Sequence, residues 1–271
     1  MKLHSDMKKT GMIFFALAAL AIFTSCADQY RIQGTSNVSM LDGHMLYLKI
    51  LKDNDLRNID SCEVVHGKFN FGGVLDTARL ANIFMDDESV MPIILENGDI
   101  LVSITNTEKK LSGTPLNDSL FVFMKKYNQL QSQEAELVHT HDQAIMDGSD
   151  MEDVITALNA KANQLAQQED ELITRYVTQN FDNALGPGLF FLFTIENQIP
   201  QLTPWIEDIW SKATENFKND PYVRSYYEKA RENQSIMNGM KAAPAPTPQD
   251  TPSVAPAPTP NELARPAQPE K

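Results

Sequence analysis

The chain has 271 residues, a formal net charge of −13 and a hydrophobic fraction of 42%. That length fits one or two domains with a real core. The acidity argues against nucleic acid, whose affinity comes from neutralising phosphates with lysine and arginine, and against adsorption onto anionic lipid.

The first stretch sets location. Met7-Lys8-Lys9 is a positive n-region, Met12 to Phe23 an apolar run, and small residues lead to Cys26. The run is shorter than the roughly 20 residues that span a bilayer, and the order is that of a secretory signal. Asp6 is out of place in an n-region, which makes Met7 the better start. Thr24-Ser25-Cys26 resembles a bacterial lipobox, so residues 1–25 are expected to be a lipoprotein signal peptide and Cys26 the lipid anchor. Plain secretion with cleavage elsewhere is the bland alternative. Burial of the lipid's methylenes, at about 0.8 kcal/mol each, would hold the rest of the chain at a membrane. Without residues 1–25, which carry Lys2, Lys8 and Lys9 against Asp6, the chain becomes two units more negative. Of the two cysteines, a lipidated Cys26 leaves Cys62 alone, so no internal disulfide is expected.

Tyr30 to Ile104 has the composition of short strands. Met45 to Leu51 is an apolar, β-rich run ended by Asp53-Asn54-Asp55. Ile59, Ser61, Glu63 and Val65 alternate with Asp60, Cys62 and Val64. His66-Gly67 turns into Lys68-Phe69-Asn70-Phe71, where both phenylalanines share a face, and Arg79 to Phe84 forms another strand. Asn97-Gly98, between Pro92–Glu96 and Asp99–Ile104, predicts a hairpin with a type I′ turn. Six to eight such strands predict an antiparallel sandwich.

After Gly113 the period changes. Leu116, Leu120, Phe123, Tyr127 and Leu130 recur at steps of four and three. Ser149-Asp-Met-Glu152 reads as a capping box opening a second helix. Its seam holds Met151, Ile155, Leu158, Ala162, Leu165, Leu172 and Tyr176, and Glu169 loosens it. With His139 to Gly148 as a polar linker, the two helices are expected to form a long antiparallel hairpin. Gly186-Pro187-Gly188 opens a short buried helix over Leu189–Phe193, too short to span a membrane. Thr203-Pro204 and Asp220-Pro221 start two more helices, the first with Trp205, Ile206, Ile209, Trp210 and Phe217 on its apolar side and the second fading after Met240. From residue 241 prolines alternate with alanine, threonine and serine, which predicts a disordered extended tail. The fold class is therefore α+β, with a signal peptide at 1–25, a β-sandwich at 26–113, a helical domain at 114–240 and the tail at 241–271.

Gly67-Lys68-Phe69, Leu95 to Ile100 and Ser112 to Asp118 resemble the landmarks of the family called domain of unknown function 4369, found in lipoproteins of Bacteroidota. The resemblance covers Tyr30 to Asn117, and the helices up to Asn233 are similar to the region that follows in longer members. Many relatives continue into a thioredoxin-like thiol:disulfide oxidoreductase domain. This chain has no Cys-x-x-Cys, and the proline-rich tail stands where that domain would begin, so the family's catalytic cysteines have no counterparts.

Other chemistry is weakly signalled. Cys62, beside Asp60 and Glu63, lacks the cationic neighbour that activates a thiol. His139-x-His141-Asp142, in the expected linker, and Asp86-Asp87-Glu88, between strands, are the nearest approach to metal ligands, and a solvated loop is the simpler reading. Asp76-Thr77-Ala78 and Asp118-Ser119-Leu120 resemble the short O-glycosylation acceptor pattern of this bacterial group. No Gly-x-Ser-x-Gly, His-Glu-x-x-His or phosphate-binding glycine loop occurs.

Together these readings predict a lipid-anchored cell-envelope protein at the outer membrane, with either face open. Its role is read as non-catalytic: accessory, scaffold or ligand binding. Cys26 is the one site residue, with no catalytic residue, cofactor or metal assigned. The partners expected are the membrane, through the lipid, and an envelope protein. The alternative is a partner or regulatory component of an envelope thiol:disulfide oxidoreductase system, and an unrelated hydrolase comes third.

Overall fold

The computed structural model describes residues 28–52, 55–195, 197 and 199–240. The expected signal peptide with Cys26, residues Asp53 and Asn54, and the expected tail from residue 241 lie outside the described residues.

Two four-stranded sheets face one another. The first holds β1 (Gln29–Ser36), β4 (Lys68–Val74), β7 (Gly98–Ile104) and β8 (Lys109–Ser112), in the order β4-β1-β7-β8. The second holds β2 (Met45–Lys52), β3 (Asp55–Glu63), β5 (Arg79–Met85) and β6 (Glu88–Leu95), in the order β3-β2-β5-β6. The period-2 pleat sends Tyr30, Ile32, Phe69, Phe71, Ile100 and Val102 inward from the first sheet. Leu46, Leu48, Ile50, Ala81 and Ile83 meet them from the second, and all are buried. The sandwich is antiparallel except at one place: β1 runs parallel to β7, from Tyr30 opposite Gly98 to Ser36 opposite Ile104.

That pairing overturns the hairpin expected at Asn97-Gly98. β6 and β7 belong to different sheets, and the pair is a crossing between layers. Gly98 has φ of 126°, whereas Asn97 is not among the residues with positive φ that a type I′ turn requires. The apolar run that suggested a hairpin strand has another cause. β6 is covered on both sides, with Ile93 and Leu95 in the sandwich and Ile94 beneath a helix, so it lacks alternation. Pro92 is tolerated because β6 is an edge strand, where a missing N–H is not needed. The type I′ geometry occurs instead at His66-Gly67, with φ of 52° and 68°, between the bridged residues Val65 and Lys68. A Cβ on Gly67 would stand 2.3 Å from the Ser36 carbonyl oxygen, so glycine is required for the approach as well as the turn.

The helices are α1 (Pro115–Met146), α2 (Met151–Gln179), α3 (Leu185–Thr194), α4 (Pro204–Lys212), α5 (Glu215–Asn219) and α6 (Pro221–Met237). α1 and α2 form the expected antiparallel hairpin, with Leu120, Phe123, Leu130, Leu165 and Leu172 buried along it. The linker is shorter than expected, because α1 continues through His139 and His141 to Met146. Nothing in that segment breaks a helix, and its exposed polar face stays solvated. The α2 N-cap is Asp150, whose side chain accepts from the Glu152 N–H at 3.0 Å, rather than Ser149. Ile155 is exposed, so the seam is looser near the hairpin tip than the spacing implied. Glu169 lies on the seam and accepts a hydrogen bond from Gln131 Nε2 at 3.0 Å.

The helix expected from Pro204 through Phe217 is broken at Ala213, whose ψ of 140° is extended. Thr214 then caps α5 and delivers Phe217 to a ring cluster with Phe181 and Phe190. Thr203 and Asp220 cap the helices that follow them, as the Thr-Pro and Asp-Pro pairs predict. α6 ends at Met237. No described helix is long and apolar enough to cross a membrane.

Candidate binding cleft

Helix α3 lies on the outer face of the second sheet. A Cβ on Gly188 would come within 3.2 Å of the Leu80 Cβ and 3.7 Å of the Ile94 Cδ1, so glycine lets the helix sit close. Alongside this contact is a cleft of about 680 Å³. Its floor comes from outward positions of β2 and β5, including Leu51, Leu80 and Phe84. Its helical wall is Phe191 and Leu192 of α3, Ile195 just beyond, and Tyr222 at the start of α6. Phe191 and Tyr222 meet edge to face at 4.9 Å. The Tyr222 hydroxyl pairs with Thr194 Oγ1 at 2.9 Å, and burial pushes its phenol above the usual tyrosine range.

Three charged groups line this apolar space. Lys49 Nζ lies 4.4 Å from the centre of the Phe84 ring, a cation–π distance, and its hydrogen bond to the Asp86 carbonyl is long at 3.5 Å. Arg79 donates from Nε to the Thr77 carbonyl at 3.3 Å and from Nη2 to Thr77 Oγ1 at 3.1 Å. That leaves three of its five N–H donors for other partners. Neither cation forms an ion pair among the described residues. Asp220, the carboxylate on the rim, accepts from the N–H groups of Tyr222 and Val223 at 3.0 and 3.1 Å and is occupied as the α6 cap.

The sequence-derived candidates lie elsewhere. Cys62 is half-buried in β3, opposite Leu46 of β2. Its thiol is pushed up to about 11, first by burial and further by the Asp60 charge, with a backbone hydrogen bond from Asn70 acting the other way. His139 and His141 stand on the last turns of α1, where His141 contacts Asp142 at 3.2 Å. Asp86-Asp87 is the two-residue turn between β5 and β6. Among the described residues no three histidine, cysteine or acidic side chains gather as a metal site. Thr77 is exposed on the loop before β5, at the cleft margin, whereas Ser119 is in the first turns of α1. Sequence reasoning missed the cleft itself. Its one sequence signal is Lys49, a lone cation inside the apolar run of β2.

The remaining landmarks converge on a joint between sheet and helices. Glu96 Oε1 accepts from the N–H of Leu116 at 2.8 Å and of Asn117 at 3.0 Å, capping α1 from outside it. The buried Asn117 amide accepts from Ile94 N–H at 2.9 Å and donates to the Ile94 carbonyl at 2.7 Å, continuing the edge of β6.

Residues 30–120 match the domain of unknown function DUF4369. No curated protein matches the chain.

Proposed function

From a chain whose residues 30–120 match the domain of unknown function DUF4369, we propose a non-catalytic ligand-binding protein, lipid-anchored through Cys26 at the outer membrane of the cell envelope. The observation that carries this reading is the cleft between the second sheet and α3. Its volume of about 680 Å³ falls in the range of roughly 300–1,000 Å³ typical of small-molecule sites, and its aliphatic and aromatic lining is interspersed with polar and charged side chains. The site is held by rigid elements: α3 is seated on Leu80 and Ile94, and the Glu96–Asn117 joint fixes α1 to β6. The Cys62 thiol, raised to about 11, has little nucleophilic thiolate at neutral pH, which supports a binding role over thiol exchange.

Two measurements test this reading. Cys26→Ala should abolish metabolic labelling of the chain with lipid, and unchanged labelling would overturn the anchor. The full chain isolated from the envelope should carry a small molecule detectable by mass spectrometry of its extract. Leu192→Trp, which fills the cleft, should remove it, and identical extracts from both chains would overturn the binding reading.

A further inference from the structure

We infer that the outer half of the α1–α2 hairpin docks a basic amphipathic helix of a partner protein, laid in the groove that α3 fills nearer the sandwich. The groove runs along one side of the hairpin. Tyr127 of α1 meets Phe193, in the last turn of α3, at 5.2 Å. Val138 and Ile145 follow Tyr127 by 11 and 18 residues, about three and five helical turns, so they continue its line. Glu169 takes hydrogen bonds from Tyr127 and Gln131 and marks the same side of α2. Ile155 precedes it by 14 residues, about four turns. α3 ends at Thr194, and past it the line is open: Val138, Ile145 and Ile155 are 64%, 55% and 44% exposed. Beyond Tyr127, α1 continues to Met146, on the order of 28 Å at 1.5 Å per residue, which seats a helix of about five turns.

α3 shows what this groove accepts. It is itself an apolar helix, with Phe193 against Tyr127 at 5.2 Å and Phe123 at 5.8 Å. A helix that anchors apolar side chains every three or four residues in such a groove is a recurring mode of recognition. Charge decides which helix. From Tyr127 to Met146, α1 carries Glu134, Glu136 and Asp142 and no lysine or arginine. From Met151 to Asp170, α2 carries Glu152, Asp153, Glu169 and Asp170, with Lys161 as its one cation. Lys161 is six residues from Ile155 and so faces away from that line. The Glu134 charge reaches across the hairpin and raises the Glu169 carboxyl. Lysines or arginines flanking the apolar stripe of an incoming helix meet this unbalanced charge. A second copy would bring the same acids to the face, and anionic lipid would be repelled by it. None of the cleft's lining residues belongs to α1 or α2, so this surface stands or falls apart from the binding reading above.

The test uses the full chain and three photoreactive synthetic peptides of about 20 residues, a length that spans the open groove. The first is a helix with a leucine stripe and lysines on its polar face. The second replaces every lysine with glutamate. The third has the first's composition in an order that leaves no apolar stripe. Labelled residues are mapped by mass spectrometry. The first peptide is expected to label the segments holding Val138, Ile145 and Ile155 at least tenfold more than either of the others. Ile145→Gln combined with Ile155→Gln should reduce that labelling at least fivefold with an unchanged melting temperature, because both side chains are exposed. Equal labelling by the peptide without a stripe would overturn the groove and leave only general attraction between opposite charges. Equal labelling by the glutamate peptide would overturn the basic partner. Absence of label on the hairpin, or label untouched by the two substitutions, would overturn the site. If the substituted chain fails to fold, the comparison of the three peptides on the unaltered chain decides.

Discussion

Glu96, one residue past the end of β6, holds its carboxylate oxygen 3.0 Å from the backbone nitrogen of Asn117, while the Asn117 amide reaches back to the backbone of Ile94. Each residue meets a need the other's element cannot meet alone. Thr114, the residue before α1, makes no side-chain cap to that helix, and the edge of β6 lacks a neighbouring strand there. The Asn117 amide is also bonded to Thr114 Oγ1 at 2.8 Å, so the buried group is fully used.

Asn117→Ala should therefore leave the Ile94 N–H and carbonyl without partners in a dry joint. Each unmet group costs about 1–3 kcal/mol, and the sum is expected near 3 kcal/mol. In a chain of this size that is a fall in melting temperature of about 6 °C or more. Glu96→Gln keeps an acceptor oxygen and should cost only about 1 kcal/mol. Thermal unfolding of the two variants checks the ordering, and an Asn117→Ala chain that melts with the unaltered protein would refute it.

Cys62 gives a kinetic prediction. With its thiol raised from 9.0 to about 11, the thiolate fraction at pH 8 is about a hundredfold below that of an unperturbed thiol. Alkylation by iodoacetamide in the folded chain should be slower by about that factor, and the difference should vanish in denaturant. Cys62→Ser should not alter ligand retention. Fast alkylation of the folded chain would mean that β3 opens at Cys62.

Glu169 gives a pH dependence. Burial raises its carboxyl, Glu134 raises it further, and hydrogen bonds from Tyr127 and Gln131 pull it partly back. Because the folded pKa is the higher one, the folded chain holds the proton more tightly than the unfolded chain. The resulting stability is fully present below the unfolded pKa and is lost as pH rises through the folded pKa. Glu169→Gln fixes a neutral side chain that still accepts from Gln131. It should match the unaltered protein at pH 4 and melt above it at pH 7. A gap that stays constant across that range would show that Glu169 titrates as it does in the unfolded chain.

The seams were legible because their signal is local. Apolar residues at steps of three and four place Leu120, Phe123 and Leu130 on one face without any tertiary knowledge. Ile155 shows the limit of that signal: it keeps the period but is exposed. Asn97-Gly98 shows another. The pair favours a turn in any context, but whether the next strand stays in the same sheet depends on β1, more than 60 residues earlier in the chain. The break at Ala213 has no local signal for a related reason. Alanine favours helix, and the chain leaves helix there to bring Phe217 to Phe181 and Phe190. The cleft was hidden most deeply, because Lys49, Arg79, Phe191 and Tyr222 come from four separate elements and loops. Only their meeting turns ordinary residues into a site.

The central position of β1 in its sheet also sets how the protein bears load. Tension entering at Asp28 is passed straight along β1, which is bonded to β4 on one side and to β7 on the other over nearly its whole length. To slide out, the strand must shear both ladders together, whereas an edge strand pulled sideways would peel open bond by bond. A tether at this end would therefore pull on a strand that is paired on both sides rather than on an edge strand. The cleft lies on the outer face of the other sheet, which does not contain β1.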